Sequence, residues 1–354
     1  MPLLHHDSIH RLFEYILAAL ILPVTEDQYR SRVFLPAYVS EKVSGIVKLL
    51  TEAHALAKAQ SEGYKNVIHP TIVQLAIDIQ VHTEKATNGS DKDTIFEAIA
   101  ALTKASTESE EAALIGPVKE QVQTLSSLLS RVQTAIDALA GFKEQVQAHN
   151  STLQARNTDV QAMRDAEGAE LRNVEGKLQE SRNALAADIA LHEEYRRNAA
   201  LAAAVVIIPI VGPLSGGITA AVYLKKAADA AERIENTKRL IGDHQRAIES
   251  AQAVIACLHV IEANLQGVMA LSSGAAYALE ETIAFWQMVA EDLTNIKEMV
   301  NENIHKEGSG NAFMALLRAK LRSVGIVVAK YKEVAHIDGA QHDEVDMVLA
   351  QLGF

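Results

Sequence analysis

Apolar positions recur along this chain with helical spacing almost from end to end. Ile9, Leu12, Phe13, Ile16, Leu17 and Leu20 follow the i, i+3, i+4, i+7 rule, which predicts an amphipathic helix that Pro23 ends. Pro36–Ser61, Val67 to about Lys85 and Thr94–Thr107 predict further helices, with Asn88-Gly89-Ser90-Asp91 as a turn. From Val118 the apolar steps alternate four and three, through Val122, Leu125, Leu129, Val132, Ile136 and Leu139. This is a heptad seam, and Val146, Leu153, Val160, Leu171, Val174, Leu178 and Leu185 continue its frame. Asn150 and Asn157 fall on the seam, where a polar side chain fixes register at some cost in stability, and Gly141, Gly168 and Gly176 are bend points. A second seam holds Ile234, Ile241, Ile248 and Ile255, extended by Leu258, Leu265, Val268, Leu279, Ile283, Trp286, Leu293, Ile296, Val300 and Ile304. Asn301–Gly310 reads as a stop, Ala312 to about Glu333 as a shorter helix, and Asp343–Leu352 as a last one.

The prolines fit this reading. None lies between Pro117 and Pro209, and none follows Pro213. A proline in a helix interior costs roughly 3 kcal/mol, so these tracts can run as unbroken helix. Pro117 to about Ala199 and Leu224 to about Ile304 are near-equal arms, each roughly 120 Å if straight at ~1.5 Å per residue. The expectation is an all-α, elongated bundle of long heptad-patterned helices.

Between the arms lies Ala199–Leu224, AALAAAVVIIPIVGPLSGGITAAVYL, which has no charged residue over 26 positions. Tyr195, Arg196 and Arg197 precede it; Tyr223, Lys225 and Lys226 close it. Cations and tyrosines bracketing an apolar stretch are the pattern of a membrane–water boundary. About 20 apolar residues suffice for one spanning helix, yet Pro209, Gly212, Pro213, Gly216 and Gly217 put five breakers in the middle. A hairpin fits better, with arms of about Ala199–Ile208 and Ile218–Leu224. Val205-Val206-Ile207-Ile208 is β-branched, so that arm is open to strand as well as helix. Two other readings of the stretch stand beside membrane contact: a hairpin that never leaves the core, and a permanent anchor.

Composition narrows the chemistry. The chain has 354 residues, with 33 Lys+Arg against 45 Asp+Glu, a net charge of −12 that disfavours a nucleic-acid partner. A single cysteine, Cys257, excludes an internal disulfide and all but excludes a cysteine-based zinc site. It sits in an apolar helix and reads as packing. His6 and His10 have i, i+4 spacing but no carboxylate nearby beyond Asp7, and His192-Glu193-Glu194 lacks the second histidine of a zincin helix. His192 and His259 fall near seam positions, where the plain reading is a histidine satisfied at the core edge and the other is an acid sensor. In Gly212-Pro213-Leu214-Ser215-Gly216 the serine is one place late for a nucleophile elbow, and no Lys-Ser/Thr follows the glycines as in a P-loop. No carboxylate pair or nucleophile–base arrangement supports an enzyme, and no cofactor or metal is expected. The N-terminus makes no recognisable classical signal peptide, because Glu14 interrupts the apolar run and histidines stand where lysines belong.

An amphipathic N-terminal helix, long heptad helices and an uncharged Pro/Gly-broken hairpin between them resemble the cytolysin A superfamily of α-pore-forming toxins. Among these the likeness is to the haemolysin BL and non-haemolytic enterotoxin components and to the Vibrio motility-associated killing factors. The resemblance implies a five-helix tail bundle, here 1–198 and 225–354, and a small head carrying 199–224 as a β-tongue or helical hairpin. It implies that the head element is hidden in the soluble monomer and enters the target-cell lipid membrane on homo- or hetero-oligomeric assembly. It also implies secretion and action at a host cell membrane. Some members insert the N-terminal helix as a pore wall; here that helix carries Glu14 and is short before Pro23.

The physics of the step is independent of the family. Exposed in water, an apolar hairpin is an aggregation patch. In lipid, its backbone must be paired internally, which demands helix formation or oligomeric closure. The residues assigned to insertion are Val205, Val206, Ile207, Ile208, Ile210, Val211, Leu214, Ile218 and Val222. Burying the eight from Val206 onward contributes roughly 10–20 kcal/mol, comparable to a domain's whole stability. A non-lytic helical scaffold or adhesin that holds a protein partner through the hairpin is the alternative function.

Overall fold

The computed structural model describes residues 6–33, 37–88, 95–102, 108–205, 213–303 and 311–335. Among them every regular element is helical: α1 (His6–Ile21), α2 (Glu26–Arg32), α3 (Ala37–Gly63), α4 (His69–Asn88), α5 (Ile95–Leu102), α6 (Glu108–Val205), α7 (Pro213–Asn303) and α8 (Asn311–Val334). A π-helical stretch, Tyr64–Ile68, joins α3 to α4. The helical spacing of the apolar residues is thus realised as an all-α bundle. The expected helix at 343–352 lies outside the described residues.

The two long helices outgrow the arms expected for them. α6 has 98 residues and α7 has 91. Pro117 was to open the first arm, but it lies inside α6. A proline there forfeits one backbone hydrogen bond, while Ile115 and the fully buried Val118 on either side of it pack on the core and offset the loss. Gly141, Gly168 and Gly176, expected bend points, are all contained in the one helix.

The chain divides into two compact units, Met1–Arg32, Ile46–Asn157 and Ala263–Phe354 forming the first, Val33–Gly45 and Thr158–Glu262 the second. The first holds the large core. On α1, Ile9, Leu12, Phe13 and Ile16 are buried as their spacing requires, and Tyr15, Ala18 and Ala19 widen the stripe. The seam residues Val118, Leu125, Val132, Ile136, Leu139 and Val146 of α6 meet Leu279, Trp286, Leu293, Ile296 and Val300 of α7 in this core. Trp286 is fully buried, edge-on to Phe285 and to Tyr331 of α8 at centroid distances of 5.5 and 5.1 Å. Asn150 does form a partnership across the seam, donating from Nδ2 to Ser273 Oγ at 2.7 Å.

Two local features add to the sequence expectations. The chain bends by 110° between α1 and α2, across Pro23. α2 begins with a capping arrangement, in which Gln28 N–H donates to Thr25 Oγ1 and Gln28 Oε1 accepts from Val24 N–H. The wide turn before α4 has a proline cause. His69 N–H donates back five residues to Tyr64 O, and Pro70 next to it has no N–H to offer the normal ladder.

Close packing of α4 on α8 rests on one glycine. A Cβ at Gly325 would stand 2.5 Å from Thr83 Oγ1 and 3.3 Å from Thr83 Cβ. Thr83 is buried and its hydroxyl already donates to Gln80 O, so it has little room to yield. Gly325→Ala is therefore expected to lower stability by about 1–3 kcal/mol in chemical denaturation. Gly141→Ala, whose Cβ meets nothing within 4 Å, is the control and gains up to about 1 kcal/mol from helix propensity. Equal midpoint shifts for both would refute the packing argument.

Candidate functional site: an uncharged hairpin and its cation–tyrosine collar

Within the second unit α6 and α7 run antiparallel. Asp188 accepts from Arg233 Nε at 2.9 Å, and Tyr195 faces Tyr223 with ring centroids 6.4 Å apart. Further along, Glu262 accepts from Gln161 Nε2 at 2.9 Å and from Arg164. Lys42 of α3 donates to both Glu167 oxygens, at 2.8 and 3.0 Å. The nearly buried Glu167 carboxylate raises the Lys42 pKa, chiefly through that hydrogen bond. Small residues seat the pair: Ala199, Ala227 and Ala230 are buried. The seam is thinner here than in the first unit. Leu178 is buried, but Leu171, Val174, Leu185, Ile234, Ile241 and Ile248 are only half-buried.

The uncharged segment joins the two helices. Val205 is the last residue of α6 and Pro213 the first of α7. Val206, Ile207, Ile208, Pro209, Ile210, Val211 and Gly212 lie outside the described residues. The described flanks are helical on both sides, so the strand option for Val205 gives way to helix. Leu214, Gly216, Gly217 and Ile218 are inside α7, and the second arm starts at Pro213 rather than Ile218. Proline is tolerated in a helix's first turn, where its missing N–H has no intrahelical partner anyway, and two glycines cost only about 1 kcal/mol each. Pro213, Gly216 and Gly217 therefore do not break the chain here.

The segment's edges are open to solvent. Leu201 is 61% exposed, Val222 48% and Leu224 60%. The expectation of a covered hairpin is not met at these three positions, because among the described residues the two-helix pair leaves their outward faces without a neighbour. Directly behind them, Lys226 Nζ stands 5.7 Å from the ring centroids of both Tyr195 and Tyr223, a shared cation–π contact. Arg196, Arg197, Lys225 and Lys226 are all exposed, and none forms an ion pair with a carboxylate among the described residues. The six bracketing residues named from sequence thus share one level of the helix pair.

A second chemical cluster, in the first unit, has no sequence signature. Tyr15 Oη lies 3.0 Å from His149 Nδ1, and His54 Nδ1 donates to Pro23 O at 3.1 Å. The two imidazoles are 6.4 Å apart, Tyr29 stacks on His54 at 6.1 Å, and His149 Nε2 is buried without a hydrogen-bond partner among the described residues. Burial pushes both histidines down to about 4, helped by Arg32 at His54 and by His54 at His149. Burial raises the Tyr15 and Tyr29 phenols. Of the histidines picked out from sequence, His259 is exposed and 3.9 Å from Glu262, His192 is half-buried, and His10 lies 3.3 Å from Glu14. Cys257 is half-buried rather than fully packed away, and burial raises its thiol pKa. Among the described residues no three His, Cys, Asp or Glu side chains are placed to hold a metal.

Long helices in an all-α bundle, with a charge-free segment between the two longest, define the class of fold. It is the fold of the cytolysin A-type α-pore-forming toxins. The chain superposes with a TM-score of 0.72 on the pre-pore AhlB of the tripartite α-pore-forming toxin AHL from Aeromonas hydrophila, at 12% identity over 98% of both chains. It matches YaxA from Yersinia enterocolitica at 0.68, with 12% identity over 99% of this chain and all of that one. It matches the SmhB pore of the tripartite toxin Smh from Serratia marcescens at 0.68, with 11% identity over 93% of this chain and 97% of the other. No protein-family model matches the sequence, and no curated protein does.

Proposed function

We propose that this chain is an α-pore-forming toxin, or one component of a multipartite cytolysin, secreted and acting at a target-cell membrane. The observation that carries the reading is the uncharged 199–224 segment, whose described side chains Leu201, Val222 and Leu224 stand in solvent beside unpaired cations and tyrosines. Water penalises that surface and lipid rewards it. The inserting residues are Val205, Val206, Ile207, Ile208, Ile210, Val211, Leu214, Ile218 and Val222, with Tyr195, Arg196, Arg197, Tyr223, Lys225 and Lys226 at the interface. Backbone pairing in lipid is met by continuing α6 and α7 as helices, which needs no partner strand. Copies of this chain, or related chains of a multipartite toxin, then close the assembly. The role is non-enzymatic, with no cofactor. The shared fold with pre-pore and pore components of tripartite toxins supports the multipartite form.

Release of an encapsulated dye from liposomes tests the reading. The purified chain, alone or with any related helical proteins encoded beside it, is expected to bind the vesicles and to release the dye. Failure of every combination both to bind and to leak would overturn it and leave the helical scaffold.

A further inference from the structure

We propose that the collar behind the uncharged segment is a headgroup site that selects anionic lipid, so that the membrane this chain binds is negatively charged at its surface. The inference rests on the proposed membrane function and names the lipid.

The argument begins with order along each helix. On α6, Glu193 and Glu194 come first, then Tyr195, Arg196 and Arg197, then the charge-free stretch; on α7, the stretch ends at Tyr223, Lys225 and Lys226, and Asp229 follows. Both helices therefore place carboxylates about one turn further from the apolar segment than cations. The Tyr195–Tyr223 contact brings the two cation pairs to one level, so four positive side chains ring the pair in a chain whose net charge is −12. Further from the segment in this unit, three cations are matched across helices: Arg233 with Asp188, Lys42 with Glu167 and Arg164 with Glu262. The collar cations are not. Long cationic stems reach from the edge of an apolar segment to the phosphate level, and tyrosines settle at the same depth.

The aromatic pair decides against a choline headgroup. A quaternary ammonium would need the faces of Tyr195 and Tyr223, and Lys226 Nζ already lies 5.7 Å from both centroids. What the collar has free is positive charge and N–H donors, which suit a phosphate or carboxylate on a lipid.

Each Lys or Arg near an anionic surface strengthens partitioning by about 5-fold, so removing two weakens it by about 25-fold. Co-sedimentation of the full chain with phosphatidylcholine vesicles, with and without phosphatidylserine, measures this. The expected result is tighter binding to the serine-containing vesicles, a preference that salt erodes and that inorganic phosphate at equal ionic strength does not abolish. Lys225→Gln/Lys226→Gln should lose about 25-fold on the anionic vesicles and little on the neutral ones, with Lys225→Arg/Lys226→Arg retaining the preference. Equal wild-type binding to both vesicles overturns headgroup selection and leaves the membrane function standing. Binding to neither, by the chain alone and with any related helical proteins encoded beside it, overturns both. Full competition by free phosphate overturns the lipid as the source of the anion.

Discussion

A chain carrying Ile208→Asp/Ile210→Asp is expected to leave vesicles intact at concentrations where the wild type empties them. Both positions fall in the part of the 199–224 segment furthest in sequence from its cations. An aspartate at the centre of a membrane helix costs about 2.5–3.5 kcal/mol, and the isoleucine it replaces contributes about 0.3–0.6 in favour. Two such changes withdraw about 6 kcal/mol or more, roughly four decades in insertion. Helix content and denaturation midpoint should hold while membrane association collapses. Undiminished association by the double variant would remove the segment from the mechanism. Ile241→Asp, a half-buried position on α7 well outside the uncharged run, is the matched control for an added charge.

Acid should destabilise the first unit through His54 and His149. Their folded pKa values of about 4 lie below the ordinary imidazole value of about 6.5, so the folded chain favours the neutral rings. The unfolded chain takes up protons first as pH drops. Stability is then whole above pH 6.5, declines below it, and has lost about 3 kcal/mol per histidine by pH 4. Among the groups facing the pair, the Pro23 carbonyl favours protonated His54 but is outweighed by burial, Tyr15 and Tyr29 are neutral phenols, and Arg32 opposes protonation of His54. Protonation of either ring also disfavours the other across 6.4 Å. Chemical denaturation at pH 7.5, 6, 5 and 4 reads the effect. Because carboxylates titrate in the same range, the comparison is with His54→Gln/His149→Gln, whose stability should fall less between pH 6.5 and 4. Equal pH dependence of variant and wild type would refute the assignment. Since Tyr15 is on α1 and His54 holds the Pro23 carbonyl at the α1–α2 bend, the N-terminal segment should be the first to lose protection in hydrogen exchange.

Much of the architecture was legible because it is locally encoded. A heptad step is a property of seven consecutive residues, so Val118 through Val160 announced both a helix and its buried face. The α1 stripe and the stop at Pro23 were legible on the same ground. α2 went unread although Thr25 and Gln28 have capping-box spacing, because its single buried apolar residue, Tyr29, leaves no periodicity to count. The π-helical turn before Pro70 went unread because helical spacing continues through it.

The site divides in the same way. Absence of charge over 26 residues and the cations and tyrosines that bracket it are compositional facts, visible without coordinates. That Lys226 lies over both tyrosines, and that Leu201 and Leu224 stay mostly exposed, depends on which helices sit alongside. The chain's own sequence determined that it would form long helices, which face of each is apolar, and where charge is withheld, because propensity, periodicity and charge act between residues a few positions apart. Only the tertiary structure decided how deeply one repeat is buried, fully at Val132 and half at Leu171, and that Tyr15, His54 and His149 meet, because burial and pairing across so many residues depend on neighbours that no local pattern names.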